Sequence, residues 1–151
     1  MNEITYRPAT VWDAQTIVSL WAKMATEITK GQGSTIIDPE IFFIELLVKI
    51  KKPECAVIVA VDNEKIIGFI SGKVVNMEYS DKVAEHCSHL YIEEEYRGKD
   101  VLEKLVYYFK DKLKQFNPAM SEFITVYDPT LIRFWGIRGF KPVQLIFRKE
   151  A

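Results

Sequence analysis

Two β-rich apolar runs, residues 56–61 and 66–75, stand back to back with only Asp62-Asn63-Glu64-Lys65 between them. Turn-forming polar residues between two such runs predict a β-hairpin, and the rest of the chain must be arranged around it. A second turn over 76–82 leads into a third strand over 83–92. The period then changes: Val101, Leu105, Tyr108, Phe109 and Leu113 recur at helical spacing. Residues 123–127 read as a strand, 129–137 as a short helix and 140–149 as a last strand. Hairpin-linked strands followed by β-α-β units predict an α/β (α+β) fold, a mixed, mostly antiparallel central sheet flanked by helices.

The N-terminal third supplies more helix. Ile4 and Tyr6 alternate with polar neighbours in a short strand that Pro8 closes. Thr10 reads as an N-cap, with Asp13 as a weaker relative of the capping box. Ile17, Leu20, Trp21 and Met24 predict an amphipathic helix over 11–25. Gly31-Gln32-Gly33-Ser34-Thr35 breaks the chain, and Asp38-Pro39 opens a second helix with proline at its first position. Ile41, Phe42, Leu46 and Ile50 follow, and Pro53 bars further extension.

Bulk properties remove several function classes. A chain of 151 residues fits one domain and buries roughly 70% of its unfolded surface, enough for a core without staples. A net charge of −1 argues against a general electrostatic grip on nucleic acid. Cys55 and Cys87 are too few for a disulfide framework and read as buried free thiols. The opening residues lack the basic and apolar regions of a signal peptide. The longest apolar stretch, 41–50, is broken by Glu45 and Lys49 and is too short to span a bilayer. A cytoplasmic protein with neither a nucleic-acid nor a membrane partner is the expectation. No cysteine or histidine cluster has zinc spacing, so no metal is expected, and Glu93-Glu94-Glu95 reads as a solvated acidic loop. Gly-x-Ser-x-Gly and P-loop patterns are missing too.

Three segments carry a family resemblance. Ile4-Thr5-Tyr6-Arg7-Pro8-Ala9-Thr10, followed by Asp13-Ala14, resembles the opening strand and helix of the GNAT N-acetyltransferases. Leu90-Tyr91-Ile92, acidic residues, Tyr96-Arg97-Gly98-Lys99 and an amphipathic helix resemble the family's middle. Phe134-Trp135 and Gly139-Phe140 stand where the family has a Phe-Tyr pair and then Gly-Phe before its last strand. The likeness spans nearly the whole chain and implies one GNAT-like domain over 1–151 with the order β-α-α-β-β-β-α-β-α-β. It implies an N-acetyltransferase that moves an acetyl group from acetyl-CoA to an amine of a small molecule, peptide or protein. The alternative is a catalytically silent member with a binding or regulatory role. Relatives commonly pair through sheet edges or the last strand, so a homodimer is possible on this resemblance.

The resemblance also implies site residues. The pantetheine arm would lie along the exposed strand edge at Leu90, Tyr91 and Ile92, where a backbone N–H could polarise the thioester carbonyl. The phosphate loop falls on Arg97, Gly98, Lys99, Asp100, Val101 and Leu102, with helix N-terminal amides facing a diphosphate. Asp100 and Leu102 replace the family's small residues, and glycine there lets backbone approach phosphate closely. Asp100 with Glu103 also reads as an ordinary N-cap and N3 pair, in which the carboxylate would occupy the amides a diphosphate needs. The general base falls on His86, with Glu85 and Ser88 as rivals, and a strand histidine bonded to a neighbour is the simpler reading of His86. His89 is expected on the opposite face from His86 by strand alternation. Trp135 stands at the position of the family's acid Tyr, where a helix residue packing on the sheet is the simpler reading; Tyr127 is the substitute acid if it reaches the sulfur. Asp128 stands where many relatives carry an Asn near the pantetheine arm, though Asp128-Pro129 is also a helix start. Glu27, Tyr79 and Asp81 lie in segments that flank the family's acceptor groove.

Overall fold

A computed structural model describes residues 3–29, 38–125, 129–147 and 149. Strand β1 (Thr5–Pro8) leads through a 3-10 turn, Val11–Asp13, into helix α1 (Ala14–Thr29). Asp13 anchors that junction: its carboxylate accepts from Arg7 Nη1 and Nη2 at 2.7 and 3.0 Å and from the Thr10 N–H at 2.7 Å. Helix α2 (Pro39–Lys51) starts as expected, with the Asp38 side chain accepting from the Glu40 and Ile41 amides. Strands β2 (Cys55–Asp62), β3 (Lys65–Asn76) and β4 (Val83–Ile92) follow, then α3 (Val101–Leu113), β5 (Met120–Phe123) and α4 (Pro129–Ile137).

The sheet order is β1-β2-β3-β4-β5. Every pair is antiparallel except β4 and β5, which run parallel across the α3 crossover. The mixed, mostly antiparallel sheet read from the sequence is therefore present. β2 is apolar along its length because both its faces are covered. Val57 and Val59 join Ile17, Leu20, Phe42 and Leu46 beneath α1 and α2. Ala56, Ile58 and Ala60 join Val101, Leu105, Phe109 and Leu113 of α3 on the other face. Each buried leucine or phenylalanine contributes about 1.5–3 kcal/mol of transfer free energy. Among the described residues, no helix is long and apolar enough to cross a membrane.

Two expectations near the C-terminus need correction. The fifth strand occupies Met120–Phe123, earlier than 123–127. Its polar residues are drawn to polar partners on β4: Ser121 donates to the buried Glu85 carboxylate, and Glu122 pairs with His86. The last strand expected over 140–149 is not formed among the described residues; 141–147 carry no ladder. Phe140 is taken up by an aromatic cluster with Trp135 and Phe123, at 5.3 and 5.1 Å between ring centroids. Pro142 cannot donate to a ladder, and the four-residue β5 offers little edge to pair with. Val143 and Phe147 remain 90% exposed.

The feature that shapes β4 is a register shift opposite Ser71 and Gly72. Ser71 pairs with His89 and Gly72 with Cys87, which leaves Ser88 as an extra residue in a bulge. Lys73 pairs with His86, and Lys73 and Ser71 share a face of β3. His86 and His89 therefore share a face, contrary to simple alternation, because the extra residue restores the parity. Gly72 lets the strands approach here: a Cβ on it would lie 2.1 Å from the His86 carbonyl oxygen and 2.8 Å from Phe109 Cζ. Gly72→Ala is expected to destabilise the fold by about 3 kcal/mol through this overpacking. Urea unfolding of the variant, with an unchanged dependence on denaturant, is the check.

Candidate active site

Among the described residues, β5 pairs with β4 over Ala84–Cys87, closed by the Ile124 N–H to Cys87 carbonyl bond of 3.2 Å. Beyond it, β4 runs on as an edge through the bulge to Ile92. The Glu93 N–H donates to the Ile67 carbonyl of β3, and β3 pairs Phe69 with Tyr91. By parity, Leu90 and Ile92 turn their backbone groups the other way, to the side β5 has left. Tyr91 and Ile92 are themselves buried.

The loop after β4 is a 3-10 turn, Glu94–Tyr96, and then Arg97 to Asp100. Gly98 is left-handed at φ +79, and no atom lies within 4 Å of where its Cβ would be. Asp100 is left-handed as well, at φ 52 and ψ −7, and its side chain makes no capping bond to α3. This corrects the N-cap reading. A capping side chain works from extended backbone, whereas left-handed backbone aims the carboxylate elsewhere. Glu103 does not complete a capping box either. It takes the Arg138 guanidinium at 2.9 Å, which, with its own amide, holds its carboxyl below the usual range. Asp100 thus leaves the first-turn amides of α3 without a side-chain cap, Glu103 alone turning to its own carboxyl. Val101 is buried in the α3-side core, and Leu102 packs against the same cluster.

Arg97 turns back from the loop. Its Nε donates to the Ile92 carbonyl at 2.8 Å, and its Nη2 meets both Glu27 oxygens at 3.1 and 3.0 Å. Its guanidinium lies 5.3 Å from the Tyr91 ring centroid, and the Tyr91 hydroxyl donates to Glu27 at 3.3 Å. Burial first, and then Glu27, push the Tyr91 hydroxyl above its ordinary range. The Lys23 ammonium meets Glu93 at 2.6 Å alongside. Glu27 thus joins α1 to the loop. Tyr79 and Asp81 do not join it; both are exposed in the turn before β4, at the far end of that strand from Ile92.

His86 lies in the paired part of β4, with Nδ1 3.0 Å from Glu122 Oε2. Its rivals separate: Glu85 faces α3, where Lys110 meets it at 3.2 Å, and Ser88 is the bulge residue. His89 lies on the α2 side, where alternation did not place it. Its ring meets Phe42 edge-on at 5.2 Å, and its Nδ1 is buried without a partner, as is the Ser71 hydroxyl paired with it. Burial, then the nearby Lys49 charge, lower the His89 pKa to about 4. Trp135 sits in an aromatic cluster, 4.8 Å from Phe123 and 5.3 Å from Phe134 between centroids. Tyr127 and Asp128 lie outside the described residues.

A strand end without its neighbour leads to a loop with two left-handed residues and a helix that the Asp100 side chain does not cap, and helix N-terminal amides of this kind favour anionic groups. Residues 42–150 match the family model described as "Acetyltransferase (GNAT) domain". The chain belongs to the GNAT family. It is accordingly an acyltransferase. None of the curated protein sequences matches it. Solved GNAT-like structures do match in fold. A predicted acetyltransferase with acetyl-CoA from Clostridium acetobutylicum aligns with a TM-score of 0.80 at 14% identity, over 98% of this chain and 96% of that one. A transcriptional regulator from Bacillus halodurans gives 0.76 at 18%, over 99% and 100%. Glucosamine-6-phosphate N-acetyltransferase from Arabidopsis thaliana gives 0.73 at 14%, over 98% of each chain. At these identities the likeness is one of fold.

His89 sets a pH dependence within this GNAT domain. Its pKa falls from 6.5 to about 4 on folding, so between those values the unfolded chain binds the proton more tightly. Stability therefore rises with pH across that window and is lost as pH falls through it. His89→Gln is expected to flatten the slope of unfolding free energy between pH 6.5 and 4, measured by urea unfolding at stepped pH.

Proposed function

We propose that this protein transfers an acetyl group from acetyl-CoA to an amine of a small molecule or peptide. One observation carries the reading. Asp100 holds the left-handed backbone that glycine would adopt in a phosphate loop, and leaves the amides of α3 uncapped. The loop has the shape of a diphosphate cradle although its composition departs from one. Support also comes from the named structures: one relative carries acetyl-CoA, one is a glucosamine-6-phosphate N-acetyltransferase, and an aminoglycoside acetyltransferase from a soil metagenome is in complex with sisomicin.

Acetyl-CoA supplies an acyl group activated as a thioester. In the proposed arrangement Gly98, Lys99, Asp100, Val101 and Leu102 present backbone donors to the diphosphate, and Lys99 adds charge. The outward edge of β4 at Leu90 and Ile92 pairs with the pantetheine arm. An outward N–H there serves as donor to the acyl oxygen. The Ile92 carbonyl is already engaged by Arg97, so Leu90 provides the freer groups. His86 is the proposed base. Glu122 beside Nδ1 favours the tautomer protonated there, which leaves Nε2 to accept a proton from the amine. Trp135, packed among aromatic rings, is given no acid role.

Asp100 places a negative charge beside the phosphates, and two unit charges at 4 Å repel by about 1 kcal/mol in water and about 4 at an effective dielectric of 20. Asp100→Gly is therefore expected to tighten CoA binding by about tenfold or more without loss of fold stability, since glycine is at home at φ 52. Calorimetry with CoA is the measurement. Wild type should bind below roughly 100 µM, and silence at millimolar CoA would instead mark a catalytically silent member. Once an acceptor amine is in hand, His86→Ala should lower kcat by about 10²-fold or more with CoA affinity unchanged. Undiminished turnover would remove His86 from the chemistry.

A further inference from the structure

The loop before α3 is tethered twice, on opposite sides. Arg97 ties it to the end of β4 and to α1. Tyr96 ties it to the hairpin: its hydroxyl donates to Asp62 Oδ2 at 2.6 Å. Asp62 is the last residue of β2, paired with Lys65, and the turn beyond it is held by left-handed Asn63 and Glu64. Its position is therefore set by the sheet. The second oxygen, Oδ1, is buried and has no partner. The Lys99 ammonium lies 5.7 Å from the Tyr96 ring centroid, so the ring is bonded at its tip and faced by a cation.

This tether has strained backbone to hold. An L-residue at φ 52 persists only where its surroundings over-determine it. Asp100 lies between the Tyr96 anchor and the buried Val101, and its side chain makes no capping bond that would fix it locally. Gly98, left-handed with open space around it, resists nothing. The stiffness of the segment must come from its ends.

We propose that the Tyr96–Asp62 hydrogen bond positions the diphosphate cradle, coupling the β2–β3 hairpin to the left-handed Asp100 and the first amides of α3. Tyr96 and Asp62 act as positioning residues, and they hold the loop rather than the ligand. The proposal rests on the reading of 97–102 as the diphosphate site. With Asp62 fixed in the sheet, the loop is the part that moves when the bond is broken.

The test compares CoA, by calorimetry, with pantetheine, which lacks the diphosphate, by NMR titration. Tyr96→Phe and Asp62→Ala should each lose about tenfold in CoA affinity while binding pantetheine as wild type does. The double variant should lose no more than either single one, because both remove the same bond. Asp62→Asn, which keeps an acceptor for the hydroxyl, should retain most of the affinity. Wild-type CoA affinity in Tyr96→Phe and Asp62→Ala overturns the proposal. Equal losses for CoA and pantetheine also overturn it, since they mean general loosening rather than a displaced cradle. Wild type that binds no CoA at all refutes the underlying diphosphate reading instead.

Discussion

The extra residue at Ser88 is the constraint on which the site depends. A bulge bends a strand and increases its local twist. It falls one residue after β4 stops pairing with β5 at Cys87, and that is where the two strands part. Below it, β4 is an interior strand with polar cross-strand pairs. Above it, the same strand continues without β5, with the backbone groups of Leu90 and Ile92 on the side away from β3 and the Ile92 carbonyl taken by Arg97. The bulge also decides which side chains lie beneath α2, since it returns His89 to the face of His86. Gly72 is the counterpart that permits this, by letting Phe109 of α3 sit directly on the backbone.

The loop beyond the strand shows conformation outlasting composition. The position that favours glycine holds an aspartate, yet its backbone is still left-handed. Aspartate is among the few non-glycine residues that tolerate this region, through its short polar side chain. The aspartate brings a negative charge to the proposed phosphate site and lacks the ease of glycine. Arg97, meanwhile, spends its guanidinium on Glu27, Tyr91 and a carbonyl, so the loop and α1 are electrostatically one piece.

Much of this fold was legible in the sequence, for particular reasons. The hairpin was visible because β2 and β3 are apolar runs separated by a polar tetrapeptide, and α3 because Val101, Leu105, Phe109 and Leu113 mark one helical stripe. Pro39 and Asp38 announced α2. The bulge leaves no trace in the sequence: Cys87, Ser88 and His89 read the same with or without an unpaired residue, so alternation puts His89 on the face opposite to the one it occupies. β5 was displaced because its strand character comes from Glu85 and His86 on its neighbour, not from its own residues. The segment after Phe140 alternates like a strand, but alternation cannot supply a partner edge. In the site, Arg97, Gly98 and Lys99 were readable as a motif. The bond from Tyr96 to Asp62 and the pair from Arg97 to Glu27 join residues remote in sequence, which no local pattern encodes.

The position of β1 bears on the order in which this chain acquires its structure. It sits at one end of the sheet, and its partner β2 comes only after both α1 and α2. A hairpin such as β2–β3 closes in ~1–10 µs, whereas joining β1 to β2 must close a long loop whose entropy opposes it. β1 is therefore among the last strands of this domain to find its place. Without β1 the edge of β2 would be unpaired, and in the folded chain the Arg7–Asp13 pair ties the end of β1 to the start of α1.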